Sequence, residues 1–210
     1  MSDEPGLFEV MYTNRAMRRL KPDPVPEELL LKLIDAANQA PSGSNQQNGR
    51  WIVVRDPEQK AKLAELNKKA VTKYLQSQRK QSVPHHDDAK RQRMLDAVEW
   101  QADHMHEMPA LVIACLELGG EPPESFFAGA ASGGSIWPGV QNLLLAARAL
   151  GLGAAPTTLA LSDRAAAKDV LGLPATVEAF CLVPVGYPRG NFGPVTRRPV
   201  EEILRWDRWE

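Results

Sequence analysis

Apolar positions along the chain fall into two periods. From Pro26 onward, Leu30, Leu33, Ile34 and Ala37 recur every three or four residues. With Pro26 at the first position and Glu27 and Glu28 in the first turn, the spacing predicts a helix that stops near Pro41. Trp51-Ile52-Val53-Val54 is a short β-branched run that predicts a strand, and Asp56-Pro57-Glu58 opens the next helix. Leu111 to Leu116 predicts a second buried strand, and Val140, Leu143, Leu144, Ala147 and Leu150 mark a buried helix ending at Gly151. Ser162 is the expected cap of a further helix that closes at Gly172. Ala179 to Tyr187 reads as a third strand, although Pro184 is awkward for a central position.

Two stretches break this regularity. From about Asn67 to Met108 the chain is polar and rich in Lys, Gln and Arg, and Val83-Pro84-His85-His86-Asp87-Asp88 interrupts it, so it reads as a helical excursion from the core. From Pro188 to Pro199 prolines alternate with Gly190, Asn191 and Gly193, which predicts an extended tail needing a partner surface. The expected architecture is an α+β sandwich of helices around a small, mostly antiparallel sheet, with an extended C-terminal tail. Residues 1–210 are expected to form a single domain carrying the excursion at about 67–108.

Composition narrows the function. The chain is 43% hydrophobic and 24% charged, with 25 basic against 26 acidic residues, so nothing calls for nucleic acid or a membrane surface. Met1 to Pro5 lack the pattern of a secretory signal, and no apolar run approaches the roughly 20 residues of a membrane span, so a cytoplasmic location is expected. Cys115 and Cys181 lack disulfide or metal spacing and read as buried packing residues. His85, His86, Asp87 and Asp88, with His104 and His106, lack zinc-site spacing, so no metal is expected. There is no P-loop lysine motif and no G-x-S-x-G elbow, which argues against phosphoryl transfer and serine hydrolysis.

Four segments combine polar chemistry with backbone freedom. Arg15 and Arg18 stand three apart and would share a face of a helical turn, a pair of guanidinium forks suited to a phosphate. Pro41 to Asn48 is a loop of small and amide residues, in which Asn45 and Gln47 carry donors and acceptors for the edge of a heterocycle. Gly151 to Thr158 follows a helix rather than a strand and ends its glycine pattern on Pro156, so it is not a dinucleotide fingerprint. It is a helix cap leading into a segment that can lie against a flat ring. Thr196-Arg197-Arg198-Pro199 on the tail is the fourth.

In this order, Arg15-Ala16-Met17-Arg18, Ala40 to Gln47, Gln141 to Gly153 and Arg197 to Glu202 resemble the FMN-dependent nitroreductase family, over about residues 8 to 206. The resemblance implies a homodimer with two FMN sites at the subunit interface. Arg15, Ala16, Arg18 and Arg197 would lie at the FMN phosphate. Pro41, Ser42 and Asn45 would come from the other subunit, and Gln47 would lie near the polar edge of the flavin. The Pro156-Thr157-Thr158 backbone would approach N5. Ala16 stands where the family often has Ser, and Asn48-Gly49 where Pro-Trp is common, which implies one phosphate donor fewer and a wider pocket. Trp137 would wall the substrate side.

The implied activity is ping-pong transfer of electrons from NADH or NADPH, through FMN, to a small electrophilic acceptor such as a nitroaromatic or quinone. No protein acid or base is assigned to the chemistry. Same-fold alternatives are reductive dehalogenation, flavin fragmentation and non-catalytic flavin binding. The excursion is expected to set substrate choice, with Lys68, Lys69, Lys73, Arg79 and Lys80 attracting a nicotinamide phosphate or an acidic substrate.

Overall fold

Strand β2 (Ala110–Glu117) is the middle of the molecule, because nearly every residue in it is apolar and buried on both faces. The computed structural model describes residues 5–79, 87–122 and 133–209. On one side β2 pairs antiparallel with β1 (Gly49–Val54), and on the other with β4 (Val177–Gly186). A two-residue strand, β3 (Gly153–Ala154), pairs with the end of β4, so the sheet order is β1-β2-β4-β3 and every pairing is antiparallel. Sequence reading missed β3, because two residues carry no periodicity.

The two faces of the sheet bury different partners. Val112, Ala114, Cys181 and Val183 pack beneath α2 (Glu27–Asn38) and α5 (Trp137–Ala149). Leu111, Ile113, Cys115 and Leu182 face Leu63 and Ala64 of α3 (Pro57–Gln78) and the short turn Leu159–Leu161. The two cysteines thus lie on opposite faces, and burial pushes each thiol up to about 12.

Pro184 occupies the central β4, against expectation, and the ladder explains how. Leu182 exchanges both backbone bonds with Thr157, at 2.8 and 2.9 Å. Two residues on, Pro184 therefore turns its nitrogen to the same side, toward Ala155, where β3 has already ended. Its pairing with Leu111 of β2 needs no donor from it.

Other boundaries also shift. Pro26 is the residue before α2 rather than its first. The last core helix, α6 (Arg164–Leu171), is capped by Asp163, whose side chain accepts from Ala166 N, while Ser162 Oγ donates to Leu159 O. Gly172 closes α6 with φ 63°, the left-handed geometry a glycine permits.

The excursion is better described as a helical hairpin. Helix α3 runs straight from the core into it and α4 (Asp88–His104) returns, with Val71, Leu75, Leu95, Val98 and Ala102 forming their own apolar cluster. Low sequence hydrophobicity hid this, because only one stripe of each helix is apolar. Residues 80–86, including Lys80, His85 and His86, lie outside the described residues. Additional helices are α1 (Leu7–Thr13), unforeseen, and α7 (Val200–Ile203) in the tail. Among the described residues no helix is long and apolar enough to cross a membrane.

Candidate functional site

The segment carrying Arg15 and Arg18 is extended, not helical, between the end of α1 and Leu20. The chain is recruited to a sheet edge there: Met17 N donates to Ala154 O at 3.2 Å, and Leu20 bridges to Pro188. Gly153 makes this approach possible, since a Cβ on it would stand 2.7 Å from Leu20 and 2.9 Å from Met17. The tail lies alongside, with Arg189 N bonding Arg19 O at 2.9 Å and Val195 N bonding Tyr12 O at 2.9 Å.

Along this edge the cations differ. Arg15 and Ala16 are exposed, and a guanidinium nitrogen of Arg15 lies 3.6 Å from where a Cβ of Gly193 would be. Arg197 is exposed and donates to Thr196 O at 2.9 Å, while Lys90 Nζ donates to Thr196 Oγ1 at 3.3 Å. Lys90 is a fourth cation beside the tail that sequence reading did not single out, because its place depends on α4 folding back. Arg18 is half-buried with no carboxylate partner among the described residues. Burial draws its guanidinium below the usual arginine range, opposed in part by Tyr74 of α3. An ionised group partly held out of water without a partner is costly, so Arg18 could take an anion.

Thr157 and Thr158 differ in what they offer. The Thr157 N–H and C=O are both used in the bridge to Leu182, and its Oγ1 accepts from Leu159 N at 3.2 Å. Both backbone groups of Thr157 are thus committed to the sheet. Thr158 is exposed, and its N–H has no acceptor among the described residues. Pro156, also exposed, has no N–H to give.

Pro41, Ser42, Asn45 and Gln47 lie elsewhere, in the loop that feeds β1. Ser42 Oγ accepts from Gln47 N at 2.9 Å, Asn45 Oδ1 accepts from Gln47 Nε2 at 3.3 Å, and Gly43 N donates to Ser135 Oγ at 3.0 Å. Ser44, Asn45 and Gln47 have φ of 52°, 53° and 50°, a left-handed run that costs roughly 1 kcal/mol or more per residue and presents polar groups outward. Beside Gly49 lies a cavity of about 30 Å3 lined by Ser42, Gln47, Trp51, Ser135 and Ile136. Trp137 opens α5 next to this loop at 41% exposure, its ring lying over Gly133.

These two groups do not meet within one chain. The loop of Pro41 to Gln47 leads into β1 and the arginine segment lines β3, at opposite edges of the sheet. No hydrogen bond or ion pair among the described residues joins them.

The basic residues of the hairpin are largely paired, which weakens the expected attraction for phosphates. Lys68 pairs with Asp103 at 2.8 Å, Lys69 with Glu65 at 2.8 Å, and Arg79 with Glu99 at 3.0 Å, leaving exposed Lys73 and Arg93 without a partner among the described residues. His104 stacks on Trp100 at 4.1 Å and its Nδ1 lies 2.9 Å from Trp100 O, while His106 lies 3.8 Å from Glu107. No group of three or more metal-binding side chains occurs among the described residues.

A small antiparallel sheet covered by helices, with cations along one edge and a polar, left-handed loop at the other, defines an α+β protein whose candidate site elements face outward on two sides. The profile of the Nitroreductase family matches residues 12–187, and the chain belongs to that family. It is similar to an NADH dehydrogenase of Thermus thermophilus, 32% identical over 199 residues that cover 91% of each chain. It is also similar to an iodotyrosine deiodinase of Thermotoga neapolitana, 25% identical over 94% of this chain and 95% of the relative. A solved structure of oxidised iodotyrosine deiodinase bound to FMN and 3-iodo-L-tyrosine superposes with a TM-score of 0.74 at 24% identity, covering 97% of this chain and all of the other, a likeness that establishes the fold.

Proposed function

We propose that the protein is an FMN-dependent oxidoreductase that takes electrons from NADH or NADPH and delivers them to a small electrophilic acceptor, working as a cytosolic homodimer. The observation that carries this reading is Arg18: a half-buried guanidinium without a carboxylate, on a segment that also presents Arg15 and lies beside the Arg197 tail. This donor set fits a phosphate monoester, which takes bidentate arginine bonds. The solved deiodinase structure that shares this fold holds FMN, which supports the same cofactor.

FMN supplies the hydride and electron chemistry when bound. Arg15, Arg18 and Arg197 hold its phosphate, with Ala16 in the same stretch. The free N–H of Thr158 is the backbone donor available to the ring edge, beside Pro156 and the sheet-locked Thr157, whose bridge to Leu182 fixes the segment. Trp137 limits the space open to a substrate.

The separation of the pieces supports the homodimer. Pro41, Ser42, Asn45 and Gln47 sit at the sheet edge remote from the arginines, so a second copy brings its loop to the first copy's cation edge and completes each site. The apolar side chains left on the surface suit that arrangement: Phe8 and Tyr12 of α1 are 68% and 64% exposed, and Trp206 and Trp209 of the tail 79% and 87%.

Two measurements test the reading. The purified protein, or protein reconstituted with FMN, shows the visible bands of a bound flavin, and a protein that stays colourless refutes the cofactor. Initial rates with NAD(P)H and a quinone or nitroaromatic give parallel double-reciprocal lines, while persistently intersecting lines refute ping-pong exchange. The deiodinase relatives favour one further substrate test, release of halide from a halophenol under reducing conditions.

A further inference from the structure

Arg148, near the C-terminal end of α5, touches none of the elements assigned above to FMN, yet it joins the two segments that carry the cations. Its side chain is 14% exposed. Nε donates to Thr13 Oγ1 at 2.9 Å, and that hydroxyl donates in turn to Glu9 O at 2.7 Å. A terminal nitrogen lies 3.8 Å from Glu9 Oε1, and the guanidinium carbon stands 4.4 Å from the centre of the Phe192 ring.

These contacts fall at consequential places in the sequence. Thr13 is two residues before Arg15, and Phe192 is one before Gly193, the glycine against which Arg15 rests. Val195 then bonds Tyr12 O, two residues before Arg197. Both segments are irregular, so neither has a ladder or helix to fix it between these points. A planar guanidinium meets the requirement: one edge bonds the end of α1 while its face lies on the tail's aromatic ring. An ammonium at this position has no equivalent face.

We propose that Arg148 is a positioning residue for the phosphate of FMN, holding the Arg15 segment and the Arg197 tail in register without touching the cofactor. The inference rests on the phosphate assignment made above and adds to it the element that sets the spacing of the arginines.

The test compares affinities for FMN and riboflavin, measured by flavin fluorescence on the intact protein, since riboflavin lacks only the phosphate. Wild-type protein prefers FMN. In Arg148→Gln the FMN affinity falls about tenfold, the worth of one charge-assisted bond, while riboflavin binding stays within about twofold. Arg148→Lys fails to rescue it, because charge alone does not replace the fork. Thr13→Val and Phe192→Leu, each removing one contact of the guanidinium, narrow the preference in the same direction. They decide the matter if Arg148→Gln does not fold. An unchanged FMN-to-riboflavin ratio in the folded variants overturns the proposal, as does parallel weakening of both flavins, the mark of a merely structural role. A wild-type protein that binds both flavins equally overturns the phosphate assignment itself, and one that binds neither overturns the FMN reading.

Discussion

Replacing Arg18 by Met should have opposite effects on the flavin-free and flavin-bound protein. The side chain keeps its apolar stem but loses a charge that is half-buried and lacks a carboxylate. Without ligand that charge is a liability, because part of its hydration has been removed with no ion pair in return. Replacing a buried ion pair by apolar side chains of similar volume is neutral or gains about 1 to 4 kcal/mol, and the partial exposure of Arg18 places its replacement at or below the lower end. A gain of about 1 kcal/mol raises the midpoint of a chain this long by about 2 to 4 °C. With FMN the sign reverses. A hydrogen bond to a charged group contributes about 1.5 to 3 kcal/mol, so the affinity should fall roughly 10- to 150-fold. Ligand at 100 times its dissociation constant stabilises by about 2.7 kcal/mol, and tenfold weaker binding cuts this to about 1.4 kcal/mol. Differential scanning fluorimetry with and without FMN, with a fluorescence titration for affinity, reads all three quantities. A variant that melts lower without FMN and binds it as tightly as wild type refutes the reasoning, since Arg18 would then be a structural cation.

Glu178→Gln tests the buried ion cluster in which Glu178 is bonded by Arg164 at 2.8 and 2.5 Å and by Lys168. Burial pushes the carboxyl up, but these two cations more than offset it and hold it below the usual range. Its stabilisation is thus complete above the unfolded value near pH ~4.3 and is lost as pH falls through the lower folded value. Urea melts should show the variant less stable by about 2 to 3 kcal/mol at neutral pH, below the full range for broken buried pairs because Arg164 is partly exposed. A deficit that does not shrink in acid contradicts the assignment. Gly133→Ala would place a methyl 2.3 Å from Cδ1 and Nε1 of Trp137. The indole must turn, changing tryptophan fluorescence and the ranking of acceptors of different size; an unaltered ranking rules out Trp137 as a substrate wall. Removing residues 200–210, which carry Trp206 and Trp209, should leave a monomer in sedimentation experiments with little flavin affinity, and a dimer of normal affinity would show that the tail is not a pairing element.

Periodicity determined α2, α5 and the three long strands, because each buries a continuous apolar face and that need is written every two or every three to four residues. Local chemistry likewise made Arg15, Arg18, the loop of Pro41 to Gln47 and Arg197 legible, and the order of these motifs carried the family. Tertiary structure alone decided how they are used. Arg15 and Arg18 are extended rather than helical because Gly153 lets their segment close on a sheet edge, a contact between residues far apart in sequence. Thr157 and Thr158 look alike in sequence, yet the bridge to Leu182 consumes the backbone groups of one and leaves the other's N–H free. The hairpin lysines read as an attractive cationic surface until folding places Asp103 opposite Lys68. Arg148 had no local signal, since its partners Thr13 and Phe192 lie 135 residues before it and beyond it on the tail. A side chain's type and its neighbours along the chain fix its capacity to bond. Which bonds remain available depends on groups that only packing brings within reach.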